Sequence, residues 1–156
     1  MTRLALIPAM AALGLCAAES RVQAHHSWGA FYDMCSRVTV EGAIDTIEWK
    51  DPHPWIFLKT DDGTLYRAEM TGPRALEREG VKPDTLKPGD RIIVTGSPMR
   101  DPVQIRARFP DMKPSPGWET DPRWKTTVAA VWQIRRPSDG WNWNNSGGGA
   151  PSECQR

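Results

Sequence analysis

Between Arg37 and Trp49 the chain alternates apolar and polar residues (RVTVEGAIDTIEW), with Val38, Val40 and Ile44 on one parity and Ile47 and Trp49 on the other. The period of two predicts a strand, and the change of parity predicts a bulge near Asp45-Thr46 that bends it. Asp51-Pro52-His53-Pro54 forces a turn, and Trp55 to Thr60 reads as a second strand. Asp61-Asp62-Gly63 is a hairpin turn into a third strand, Thr64 to Met70. Pro73 opens a short helix, Arg74 to Glu79, which Gly80 closes, with proline at the first turn and glycine just past the end. Lys87-Pro88-Gly89-Asp90 turns the chain into a fourth strand, Arg91 to Gly96. Val103 to Arg108 alternates more weakly and is expected as a further strand. Thr126 to Arg135 places Val128, Ala130, Trp132 and Ile134 on one face and is expected to close the sheet.

Three strands, a short helix and then two more strands, the first of them curled, is the element order of a small barrel. The predicted fold is mainly β: a five-stranded OB-like barrel with one short helix between strands 3 and 4. A sandwich needs more strands and no such helix. The barrel domain is expected over residues 25–136. Within it, Phe109 to Trp124 carries four prolines and no period, which predicts a long loop. Residues 137–156, with Ser146-Gly147-Gly148-Gly149, are expected as a disordered tail.

The first 24 residues read as a secretory signal. Arg3 supplies the positive start, Leu4 to Ala18 the apolar stretch, and Val22-Gln23-Ala24 the small-residue cleavage site. The apolar run is interrupted by Pro8 and is too short for a spanning helix of about 20 residues. A periplasmic protein with no transmembrane segment after signal removal is therefore expected. The signal takes Arg3, Glu19 and Arg21 with it, so a net charge of +1 becomes formally neutral. A neutral, exported chain lacks the basic field that nucleic acid requires, and no nucleic-acid partner is expected. Cys16 also leaves with the signal. Cys35 and Cys154 remain and can pair in an oxidising compartment, the alternative being two unpaired thiols.

Several segments taken in order carry a resemblance. They are Ala24-His25-His26-Ser27, Phe31, Val38-Thr39-Val40-Glu41-Gly42, Glu48-Trp49, the Pro52-His53-x-Trp55 element, the Pro73 to Gly80 helix, and Leu86-Lys87-Pro88-Gly89-Asp90 before Val94-Thr95-Gly96. Together they resemble a family of small exported bacterial proteins known as a domain of unknown function. The resemblance covers roughly residues 24 to 107 and then Val128 to Arg136. It implies a periplasmic barrel and transfers no activity or catalytic residue. The chain departs from the family at Asp51, where asparagine is expected, in the Phe109 to Trp124 insertion, and in its Gly- and Trp-containing tail.

The chain has three histidines, His25, His26 and His53, and all three lie in the resembling motifs. Cleavage after Ala24 makes His25 the N-terminal residue, whose amine and imidazole can chelate a metal while His26 adds a second ring. His53 supplies a third nitrogen from its turn, and Asp33 or Asp51 can complete the shell. An imidazole-rich, thiolate-free set suits Cu(II), Ni(II) or Zn(II), so copper or zinc is the expected cofactor. The opposing reading makes the His-His pair a polar tip and His53 a turn residue. Trp49, Trp55, Phe57, Tyr66 and Trp132 are candidates for a ligand or interaction face on the barrel, or for its core. No nucleophile elbow, His-Glu-x-x-His, dinucleotide glycine pattern or phosphate loop is present, which disfavours an enzyme. The expectation is a binding or accessory protein that captures a metal through His25, His26 and His53. The alternative is a metal-independent module that docks an unknown protein or small ligand.

Overall fold

The computed structural model describes residues 28–108 and 125–146, together with positions 110, 122 and 154. The expected signal, His25, His26 and most of the Phe109 to Trp124 loop lie outside the described residues. In chain order the elements are α1 (Trp28–Phe31), β1 (Val38–Glu48), β2 (Trp55–Lys59), β3 (Leu65–Glu69), α2 (Pro73–Arg78), β4 (Arg91–Pro98), α3 (Pro102–Arg108), β5 (Thr127–Arg136) and β6 (Trp141–Asn144).

β1 is long enough to serve two neighbours. Its first half pairs antiparallel with β4, from Val38↔Gly96 to Ala43↔Arg91. Its second half pairs with β2, and the register slips between Ile44↔Leu58 and Thr46↔Phe57. Asp45 is thus the extra residue of a bulge, where the parity change in the sequence places it. The bulge bends β1 and re-aims Ile47 and Trp49 toward the core. β2 and β3 form a hairpin with Trp55↔Glu69 and Lys59↔Leu65 at its ends. β3 then pairs parallel with the start of β5 at Arg67↔Thr127 and Ala68↔Val128, and β5 pairs with β4. The circuit β1-β2-β3-β5-β4 closes on itself, giving a closed five-stranded barrel of the expected kind.

The core is filled from every wall. Ile44, Ile56, Leu58, Ala68, Ile92, Val94, Val131 and Ile134 are all at most 2% exposed. α2 plugs one end with Leu76, which has no exposed surface, and Val81 and Leu86 complete that end. A small apolar crevice there, lined by Ile47, Trp49, Ile56, Met70, Val81 and Leu86, has a volume of about 10 Å³. That is room for about one water, so the crevice is not a ligand chamber.

Three sequence expectations are corrected. Val103 to Arg108 is not a strand but part of α3. The Asp101 carboxylate accepts a hydrogen bond from the Val103 amide (2.7 Å) and the Asp101 carbonyl one from Ile105 (3.1 Å). Asp101-Pro102 is a helix start, and it overrides the apparent alternation of Val103, Ile105 and Ala107. Of that trio only Ile105 is buried, while Val103 is 76% exposed.

Residues 137–146, expected as disordered tail, instead turn back and add β6 to β5, from Arg136↔Trp141 to Gln133↔Asn144. Gly140 makes the turn at φ +75°, and Trp-Asn-Trp-Asn alternates with Trp143 buried against the core. The remaining tail, apart from Cys154, lies outside the described residues.

The single face expected for β5 is also broken. Three residues, Ala130 to Trp132, fall between the partners Ala129↔Ser97 and Gln133↔Thr95, where β4 has only Gly96. Ala130 takes φ +46° at this irregularity. Val131 therefore joins the core, while Trp132 is half-buried and donates its indole N–H to Ser97 Oγ (3.1 Å).

Candidate functional site

In the β2–β3 hairpin, Ile56, Leu58 and Ala68 point inward. Alternation puts Trp55, Phe57, Arg67 and Glu69 on the outer face. The Arg67 guanidinium carbon lies 5.6 Å from the Trp55 ring centroid, and its Nε donates to Thr127 Oγ1 at 2.5 Å. Glu69 is the unexpected member. It sits on the outside of the barrel and yet is only 7% exposed.

α1 provides the cover. The Tyr32 amide donates to the Trp28 carbonyl (2.8 Å), so the two aromatic residues stand one helical turn apart on the same side. Tyr32 is itself buried, and its hydroxyl donates to Glu69 Oε2 at 2.5 Å. Burial pushes the Tyr32 phenol well above its ordinary range, and the neighbouring Glu69 carboxylate pushes it the same way. One turn back, the Trp28 ring lies 5.6 Å from the His53 ring, centroid to centroid, at an interplanar angle of 58°. The far side of α1 is fastened to the end of β4 and to the two residues that follow it. The Arg100 amide donates to Phe31 O (2.7 Å), the Asp33 amide to Pro98 O (2.9 Å), and Tyr32 bridges Met99.

His53 is half-buried in the turn between β1 and β2, and its Nδ1 lies 3.1 Å from the Met70 carbonyl oxygen. A carbonyl only accepts, so Nδ1 carries the proton and the Nε2 lone pair is the one directed elsewhere. A histidine that binds metal through one nitrogen commonly donates the other N–H to a backbone carbonyl in this way.

The remaining sequence candidates distribute as follows. Trp49 and Tyr66 pack against the core, whereas Trp55 and Phe57 stand on the outer face, so these aromatic residues do not form one surface. Trp132 lies apart from the hairpin, with the Arg37 guanidinium 3.8 Å from its ring centroid. Asp33 is engaged in its own turn, accepting from the Ser36 hydroxyl (2.6 Å) and the Cys35 amide (3.2 Å). Those hydrogen bonds, the Ser36 one first, hold its carboxyl below the usual range. Asp51 is exposed. No cluster of three or more metal-ligating side chains occurs among the described residues, to which only His53 of the three histidines belongs. Cys35 and Cys154 are joined by a disulfide, with Cα atoms 5.2 Å apart. Among the described residues no helix is long and apolar enough to cross a membrane.

Trp28, Tyr32 and Glu69 were not sequence candidates. Tyr32 and Glu69 are 37 positions apart, and no local period links them. The signal that was available is a glutamate at the end of an otherwise well-formed strand, next to Met70.

A family model described as a family of unknown function (DUF6152) matches residues 12–106, a span that includes all three histidines and every element from α1 to β4. No curated protein matches the chain.

Proposed function

The chain belongs to this family of unknown function, and from that premise we propose that it is an exported periplasmic binding or accessory protein that captures a metal ion, copper foremost, through His25, His26 and His53. The observation that carries the reading is the contact of Trp28 with His53. Trp28 lies against the His53 ring, and in the sequence the His-His pair stands two residues before Trp28.

His53 is also prepared as a ligand, with its tautomer set by the Met70 carbonyl and its Nε2 left as the acceptor. Three nitrogen donors with no thiolate favour Cu(II) over the other divalent first-row ions. The chemistry supported is capture and holding. The metal-independent interaction reading draws less support, because Trp49 and Tyr66 are spent on the core.

The deciding experiment uses protein exported from a bacterial host with its own signal and no N-terminal tag. Intact mass gives the mature N-terminus, and elemental analysis of the same sample gives bound metal. A start at His25 with near-stoichiometric copper that is lost in His26→Ala and weakened in His53→Ala is the expected result. A start elsewhere, or protein that fails to retain copper or zinc after loading and desalting, overturns the reading. Secretion itself is checked by fractionation, with the mature form expected in the periplasmic fraction.

A further inference from the structure

We propose that the Cys35–Cys154 bridge is a site of thiol–disulfide exchange, a clasp that a dithiol opens and that closes again while the barrel stays folded. The bond joins the turn before β1 to the chain beyond β6. Exchange requires that a thiolate reach one of the two sulfurs. Cys35 is exposed whereas Cys154 is half-buried, so Cys35 is the residue that an attacking thiolate meets.

The turn that presents Cys35 is built without the bridge. The Asp33 amide donates to Pro98 O (2.9 Å), and the Ser36 amide donates to Asp33 O (3.0 Å). The Asp33 carboxylate accepts from the Ser36 hydroxyl and the Cys35 amide. Arg37 donates to the carbonyls of Met34 (2.8 Å) and Ser36 (3.0 Å), and its guanidinium lies over the Trp132 ring. The other end of the barrel is fastened just as independently. The Asn145 amide donates to Trp132 O (2.9 Å) and its side chain to Val131 O (3.2 Å), while Trp143 is buried and bonded to Glu79. None of these contacts, and no strand pairing, passes through either sulfur. What the bridge adds is a tether on the chain that follows Asn145.

The exchange runs in two steps. A thiolate of the dithiol bonds to the Cys35 sulfur, the S–S bond breaks, and its electron pair leaves on Cys154, which takes up a proton. The second thiolate of the dithiol then attacks its partner sulfur in the mixed disulfide, and Cys35 leaves and is protonated in turn. Two electrons and two protons pass to the bridge, and the dithiol becomes a disulfide. Closing is the reverse, with a disulfide as the oxidant. Cys154 follows Asn145 by nine residues, and that length reaches Cys35 in the folded protein. With Asn145 and Cys35 both held by the fold, the two thiols stay at the high effective concentration of a short tether.

The test uses the intact oxidised protein, with dithiothreitol and glutathione as the probes. Dithiothreitol in native buffer, with no denaturant, should raise the intact mass by one hydrogen on each sulfur. On reduction the amide resonances of β1 to β6 should keep their positions. Changes should be confined to the turn from Asp33 to Arg37 and the chain after Asn145, with the Cys154 amide gaining nanosecond mobility in NMR relaxation. Reduced glutathione followed by an alkylating quench should leave a mixed disulfide that peptide mapping places on Cys35. Replacing dithiothreitol by oxidised glutathione should restore the bridge at a rate independent of protein concentration. The double variant Cys35→Ser/Cys154→Ser should reproduce the barrel resonances of the reduced protein.

A bridge that opens only in denaturant, or barrel resonances that collapse on reduction of the wild type, makes the bond a structural staple and overturns the clasp. A mixed disulfide mapped to Cys154, or closing that slows on dilution, overturns it as well. No readout involves a histidine or a metal, so the clasp stands or falls apart from the metal reading.

Discussion

A Cβ placed on Gly42 would lie 2.6 Å from the carbonyl oxygen of Lys59. The two backbones approach so closely because β1 leaves β4 and joins β2 at this point, with Ala43 paired to both Lys59 and Arg91. Lys59 cannot retreat, since it is also paired with Leu65. Gly42→Ala is therefore expected to destabilise the fold by about 1 to 3 kcal/mol, the range for overpacking a built interior. A lowered urea midpoint at unchanged slope checks it, and an unchanged midpoint refutes the close approach.

Ala130 gives the opposite expectation. It is buried in β5 at φ +46°, where an L side chain costs roughly 1 to 2 kcal/mol. Removing its methyl forfeits about 0.8 kcal/mol of burial but relieves that cost. Ala130→Gly should be neutral or slightly stabilising, whereas Ala68→Gly, at a buried strand position of ordinary φ, should destabilise. Paired thermal melts of the two variants decide it.

β6 belongs to the folded unit. Trp143 is buried in the core, and its indole N–H donates to Glu79 Oε2 at 2.8 Å while Ser146 donates to the other oxygen. Trp143→Ala is expected to cost about 3 to 5 kcal/mol. Glu79→Ala leaves the buried indole without its acceptor and should cost about 1 to 3 kcal/mol. Chemical denaturation of both variants is the measurement. Values near zero would return residues 141–146 to the status of a tail.

How far the sequence announced this molecule depended on whether a signal was local. The bulge at Asp45 was legible because a parity change within one strand has few other causes. The Lys87 to Asp90 turn was legible because Pro88-Gly89-Asp90 is a turn sequence directly ahead of a strand of clear period, and Gly89 takes φ +91° there. α3 was missed because a two-residue period in Val103, Ile105 and Ala107 outweighed the Asp101-Pro102 start. β6 was missed because a glycine run just beyond it lowered the weight given to four alternating residues. At the candidate site His53 was legible as one of three histidines. Its neighbours Trp28, Tyr32 and Glu69 were not, because they meet only after the chain has closed.

Acid sensitivity follows from Asp33. Its carboxyl is held below the usual range chiefly by the Ser36 hydroxyl, so the ionised form is favoured in the folded state. A depressed folded-state pKa contributes stability that is fully present above the unfolded value of about 4 and is lost as pH falls through the folded value. Ser36→Ala should move the Asp33 titration upward toward its ordinary position. It should lower stability at pH 6 to 7, and this linked part of the difference should vanish once both proteins are protonated. Carboxyl titration by NMR alongside denaturation at several pH values tests both statements, and an Asp33 titration that does not move would refute them.

The disulfide between Cys35 and Cys154 spans 119 positions, and every strand from β1 to β6 lies between its two ends. Mechanically this makes the barrel a bypassed loop. Once the contacts of α1 and Tyr32 with β3 and β4 have parted, tension applied between the segment before Cys35 and the segment after Cys154 runs through the sulfur bridge and not through the strand pairs. α1 lies before Cys35 and is inside the load path. A pull from before Cys35 is therefore felt first at Trp28 and Tyr32: α1 yields under force while the barrel beneath it remains closed.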